Sequence, residues 1–159
     1  MKKLLNVKNI YLVIFFLSIS SLLSAIYIEY ALEEKACILC IYQRIPYLMS
    51  IFVCFFGYNY YKNLFWLYLL SVIFIFSFLL SGYHVGIENN IFQEFSGCTN
   101  NNINLIDKDE LLKSLLFERP NCKDINFKLF GLSLASINLI ISITISMILI
   151  LKIKNEKNR

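Results

Sequence analysis

Ala36-Cys37-Ile38-Leu39-Cys40-Ile41-Tyr42-Gln43-Arg44 sets two cysteines and an arginine directly before an uncharged stretch over residues 45–61. Two cysteines separated by two residues can close a small disulfide, and a nearby cation or helix N-terminus stabilises the thiolate of one of them. Such a pair is suited to redox cycling. If helical geometry runs from Cys37 onward, Cys40 and Arg44 are four residues apart and Cys37 and Arg44 seven, so all three share one face. Pro46 lacks an N–H for the Tyr42 carbonyl, so the second helix is expected to kink or to begin after the motif. An arginine at a membrane boundary must snorkel or pair, and the partner expected here is an anion formed during turnover.

Working outward, three further uncharged apolar stretches cover residues 10–28, 64–83 and 129–151. Each approaches the roughly 20 residues that cross a bilayer. The first is longer than the roughly 7–15 residue core of a secretory signal, and no clean small-residue cleavage site follows it, so a retained helix is expected. The chain of 159 residues is 58% hydrophobic, 16% aromatic and only 16% charged, a composition foreign to soluble domains. The fold class read here is an all-α membrane protein, a four-transmembrane-helix bundle, with loops at residues 29–44 and 84–128. The net charge of +4 is spread over segment ends, with no basic patch interleaved with aromatics, which excludes nucleic-acid binding.

Charge also orients the bundle. With both termini inside, Lys2, Lys3, Lys8, Lys62, Lys152, Lys154, Lys157 and Arg159 face one side against the single acid Glu156, whereas acids outnumber bases on the other. Lys and Arg near spans stay cytoplasmic, so both termini are read as cytoplasmic and Cys37, Cys40, Cys98 and Cys122 as external. Four cysteines on one side make sense in an oxidising space.

The long outer loop is too short and polar to build its own core. Asp107 and Glu110 give a capping-box-like start, and Leu111, Leu112, Leu115 and Leu116 recur on one helical face before Pro120. A short amphipathic helix is expected, covering the bundle or lying at the bilayer surface. Asn100, Asn101, Asn102 and Asn104, just after Cys98, are turn-prone residues that favour mobility.

The residues alone leave more than one chemistry open. Cys37 and Cys40 can be a structural disulfide or half of a zinc site, but zinc needs two further ligands, and Cys98 and Cys122, with 23 residues between them, make no second knuckle. No metal is assigned. Cys98 and Cys122 can form a plain staple, worth about 3 kcal/mol in the chain-entropy model. Two outer disulfides near one bundle can instead exchange by thiolate attack and relay electrons. Cys54 lies 14 residues past Cys40, about 21 Å down a helix, and is expected to be a buried small hydrophobe. His84, the single histidine, sits at the same boundary as Arg44, either as a hydrogen-bonded interface residue or as a contact to a quinone carbonyl.

The motif Cys37-Ile38-Leu39-Cys40-Ile41-Tyr42-Gln43-Arg44, four spans, Tyr83-His84 after the third, and a distant outer cysteine pair together resemble the disulfide bond formation protein B (DsbB) family. The resemblance covers nearly the whole chain. It implies an inner-membrane thiol oxidase that reoxidises a periplasmic, thioredoxin-fold DsbA-like partner and passes electrons to ubiquinone or menaquinone, supporting disulfide formation in exported proteins. By position, it implies that Cys37 and Cys40 face quinone, with Arg44 beside them, and that Cys98 and Cys122 serve the protein substrate. Ala36 stands where the family often has proline, and Gln43 where an acid is common. The rival readings are a quinone reductase of the vitamin K epoxide reductase type and a scaffold with structural disulfides.

Overall fold

The structure is a computed structural model describing residues 7–33, 35–93, 122, 128–129 and 131–158. Helix α1 spans Val7–Ala31, α2 Ile38–Tyr42, α3 Arg44–Asn59 and α4 Leu64–Glu88. A two-stranded hairpin follows, β1 (Lys128–Leu129) against β2 (Leu132–Ser133), and α5 covers Leu134–Lys157. Four helical stretches, Val7–Ala31, Ile38–Asn59, Leu64–Glu88 and Leu134–Lys157, are long and apolar enough to cross a membrane.

Their boundaries differ from the sequence reading at instructive places. Helical structure in the second span begins at Ile38, so the cysteine motif itself is wound into α2. The α2–α3 joint falls at Gln43, where the expected effect of Pro46 is visible: the Gln43 N–H still reaches the Leu39 carbonyl, but Pro46 has no N–H to give to Tyr42. The third helix runs through His84 to Glu88. The fourth starts at Leu134, five residues later than the apolar run, because residues 129–133 are spent on the hairpin. Its turn contains Gly131 at φ +82°, a conformation that glycine takes without a Cβ penalty. Ser133 then caps the helix by accepting a hydrogen bond from the Ser136 N–H. The expected amphipathic helix at Asp107–Pro120, the Asn tract and Cys98 lie outside the described residues.

Helix α1 packs on α3, α3 on α4 and α4 on α5. Small polar residues let the helices approach: Ser18 meets Ser50 at 2.7 Å between α1 and α3, and Ser77 meets Ser142 at 3.0 Å between α4 and α5. Tyr11, Leu67, Leu70, Phe74 and Leu149 fill the interior. Gly57 is where the Tyr11 ring crosses α3, since a Cβ there would lie 2.6 Å from that ring. Cys54 is 1% exposed within this apolar core, as the sequence implied.

The antiparallel arrangement gathers the two ends of the molecule differently. At one end, Lys8 lies over the Tyr61 ring at 4.3 Å, and Lys152 pairs with Glu156 at 2.8 Å. At the other end stand Glu29, the cysteine motif, His84, Glu88 and Ser133.

Candidate functional site

The motif forms a site because the N-terminus of α2 abuts the C-terminal turn of α4. Cys37 is the N-cap of α2, in extended conformation, and its sulfur accepts from the Cys40 N–H at 3.2 Å. The Cys37 and Cys40 sulfurs are 2.9 Å apart as free thiols, so a small approach would join them. Cys37, Leu39, Ile87 and Cys122 are buried together, with Cys40, Leu80 and Tyr83 packed around them. Cys122, far along the chain, is therefore brought against the motif. Its thiol hydrogen-bonds Cys37 and pulls the Cys37 pKa down, but hydrogen bonding with Cys40 and burial outweigh it, and the thiol is pushed up to about 12. Cys37 thus holds its proton unless a donor or a reaction takes up the charge.

Arg44 opens α3 one turn beyond Cys40, where its charge acts on the Cys40 thiol. Its Nη1 donates to Glu29 Oε2 at 2.5 Å, the two side chains being 26% and 29% exposed. The end of α1 therefore supplies a resident carboxylate where the sequence suggested a transient anion. A carboxylate engages at most two of the five guanidinium N–H groups, so Arg44 keeps donors for a second acceptor. That half-exposed cation beside a thiol pair fits a quinone carbonyl.

His84 is 3% exposed, and its surroundings are protein on both sides. Nε2 lies 3.7 Å from Cys37 Sγ and 3.8 Å from Glu88 Oε1, and the Cys122 backbone also hydrogen-bonds the ring. Nδ1 lies 2.9 Å from Gln43 Nε2. Beyond Gln43, its Oε1 accepts from Asn138 Nδ2 at 2.9 Å, and Asn138 Oδ1 accepts from the Tyr47 hydroxyl at 2.5 Å. Glu88 accepts from the Ser133 hydroxyl at 2.6 Å.

Of the residues singled out in the sequence, Cys37, Cys40, Cys122, Arg44 and His84 come together at one end of the bundle; Cys98 lies outside the described residues. Glu29, Tyr47, Glu88 and Asn138 were not anticipated. A signal existed for two of them: Glu88 follows His84 by one helical turn, and Asn138 is an amide inside an apolar run, where a polar side chain needs a partner. Chemically, the site offers a thiol pair able to close, a third thiol placed to exchange with it, and a cation for an anion. Cys37 Sγ, Cys40 Sγ and a His84 ring nitrogen also lie within 4.8 Å of one another, a spacing that admits a soft metal.

Comparison with known sequences agrees with this geometry. A sequence model of the disulfide bond formation protein DsbB family matches residues 7–152, and the chain belongs to that family. An uncharacterized protein of Rickettsia prowazekii (strain Madrid E) is 29% identical over 140 residues, covering 86% of this chain and 81% of its own. The chain is thus a multi-pass membrane protein of disulfide formation.

Proposed function

We propose that this member of the DsbB family is an inner-membrane thiol:quinone oxidoreductase that reoxidises a DsbA-like, thioredoxin-fold partner in the periplasm. The observation that carries the reading is that Cys122, from far along the chain, is buried against Cys37 with Cys40 packed beside them, three thiols from two separate parts of the chain. A scaffold with structural disulfides needs no third sulfur beside a closed pair.

The relay begins when a thiolate of the reduced partner attacks Cys98 of a Cys98–Cys122 disulfide, leaving Cys122 as a thiolate. Access favours Cys98, which precedes the turn-prone asparagines, over Cys122, which is buried. The Cys122 thiolate attacks Cys37 of the Cys37–Cys40 disulfide. A Cys122–Cys37 bond forms, the Cys37–Cys40 bond breaks, and the electron pair leaves on Cys40. This order follows from contact, since Cys122 hydrogen-bonds Cys37 while Arg44 acts on Cys40. Ubiquinone or menaquinone, when bound, supplies a two-electron acceptor dissolved in the membrane. Arg44, held in place by Glu29, would hold its carbonyl and steady the Cys40 thiolate. His84 stands behind Cys37 at the same boundary, completing the polar lining. A DsbA-like pair is a strong oxidant, so reoxidising it requires a strong acceptor.

In this reading both termini are cytoplasmic. The clustering of Lys8, Lys152 and Lys154 on helix ends opposite the cysteines supports that orientation. The test is quinone reduction by the purified full chain supplied with a reduced thioredoxin-fold dithiol protein. Steady loss of quinone absorbance, dependent on both reactants, is expected; a chain whose cysteines keep their redox state while quinone stays oxidised is a scaffold.

A further inference from the structure

The buried hydrogen bonds around His84 have a direction. Tyr47 donates its hydroxyl proton to Asn138 Oδ1, the Asn138 amide donates to Gln43 Oε1, and the Gln43 amide faces His84 Nδ1. An amide nitrogen carries only donors, so Nδ1 of a neutral ring must accept, and the ring proton sits on Nε2. Two contacts independent of the amides point the same way: Glu88 Oε1 lies 3.8 Å from Nε2 and accepts when ionised, and the Cys122 backbone, which also hydrogen-bonds the ring, shares the ring N–H with the Cys37 sulfur. Gln43 and His84 are 7% and 3% exposed, so water does not replace these partners.

We propose that Tyr47, Asn138 and Gln43 are positioning residues, a one-way donor chain that holds His84 as the Nε2–H tautomer and presents that N–H to the Cys37 sulfur. The chain crosses three helices: the hydroxyls of Tyr47 on α3 and Ser142 on α5 both donate to Asn138 Oδ1 and so turn its amide nitrogen toward Gln43, Gln43 at the α2–α3 joint passes the sense on, and His84 on α4 delivers it.

The consequence rests on the relay proposed above. When the partner's second cysteine has released it from Cys98, the Cys98 thiolate attacks Cys122 of the Cys37–Cys122 disulfide: the Cys98–Cys122 bond forms, the Cys37–Cys122 bond breaks and the electron pair stays on Cys37. Buried beside Cys40, that sulfur is a poor leaving group without help, because exchange slows as the leaving thiol becomes more basic. The Nε2–H donates a hydrogen bond to the departing sulfur and keeps its proton.

The chain has a single histidine, so selective ¹⁵N-histidine labelling of the full-length protein in nanodiscs reads one ring. A bare Nδ1 and a protonated Nε2 are expected at mildly alkaline pH. Asn138→Asp should invert the ring. Its carboxylate only accepts, so Gln43 turns its amide nitrogen toward it and offers Oε1 to a protonated Nδ1. Tyr47→Phe combined with Ser142→Ala, which removes both hydroxyls that donate to Asn138 Oδ1, should give a mixture of the two tautomers, and it decides the matter if Asn138→Asp does not fold. In a Cys40→Ser background, release of Cys37 from its bond to Cys122 by dithiothreitol should slow about tenfold or more when the ring is inverted. A protonated Nδ1 in the parent protein, or a parental pattern in both variants, overturns the donor chain. Inversion with an unchanged release rate overturns its role at Cys37. Neither reading depends on quinone being the acceptor, so failure of the quinone assay leaves this test intact.

Discussion

Cys37 and Cys54 are both nearly inaccessible, at 6% and 1% exposure, yet the two regions around them are built on opposite rules. Around Cys54 the core is Tyr11, Leu67, Phe74 and their neighbours, with a glycine placed to let an aromatic ring pass. Around Cys37 the apolar packing of Leu39, Leu80 and Ile87 is joined by groups that donate, accept or exchange: Cys40, Cys122, His84, and behind them Gln43 and Asn138. Burial alone therefore does not make a thiol reactive or inert. A cysteine among hydrocarbon has its thiolate disfavoured and no partner for exchange, whereas one in a connected polar network has partners for each charge it acquires.

The sharpest way to break this contrast is to remove one cysteine from each region. Cys40→Ser should lower quinone-linked turnover by about a thousandfold or more, since the reacting sulfur is gone. Cys54→Ala should leave turnover within about twofold, as expected for a space-filling residue. Comparable losses in steady-state assays of the two purified variants would show that the regions are not functionally distinct.

A smaller effect is expected from the cation. Arg44→Met should insert normally and raise the apparent quinone KM by about tenfold, because a charge-assisted contact is lost. Kinetics unchanged at every quinone concentration would take Arg44 out of the site. The smallest redox effect belongs to Gly57→Ala, whose Cβ would press on Tyr11. Thermal unfolding in detergent should show a loss of about 1–3 kcal/mol, typical of overpacking, with turnover per folded molecule preserved.

The apolar runs and the cysteine motif were legible because they are one-dimensional: a bilayer demands length and low charge, and a redox pair demands close spacing. Helix ends were less so. The hairpin over Lys128–Ser133 reads as apolar sequence, and only Gly131 hints that the backbone turns before helix α5 begins. For Pro46 the sequence left open a kink or a late start of the second helix, and the structure has an interruption at Gln43 within a nearly continuous stretch. Arg44 was singled out from its position, but its partner Glu29 lies 15 residues earlier across a loop, a pairing that no local pattern encodes. Asn138 is 95 residues from Gln43, and its part in the site emerges only when α5 is laid beside α3 and α4.

The central claim is that exchange passes through Cys37, which bonds to Cys122 as its bond to Cys40 breaks. It is tested most directly by disulfide mapping of the quinone-free parent protein, with its Cys37–Cys40 and Cys98–Cys122 disulfides closed and Cys40 in place to leave as a thiol, after reaction with a thioredoxin-fold partner lacking its resolving cysteine. Mass spectrometry should find the partner joined to Cys98 and, in the same molecule, Cys122 joined to Cys37. A partner attached to Cys37 itself, or Cys37 left as a free thiol while Cys122 pairs elsewhere, would contradict the account.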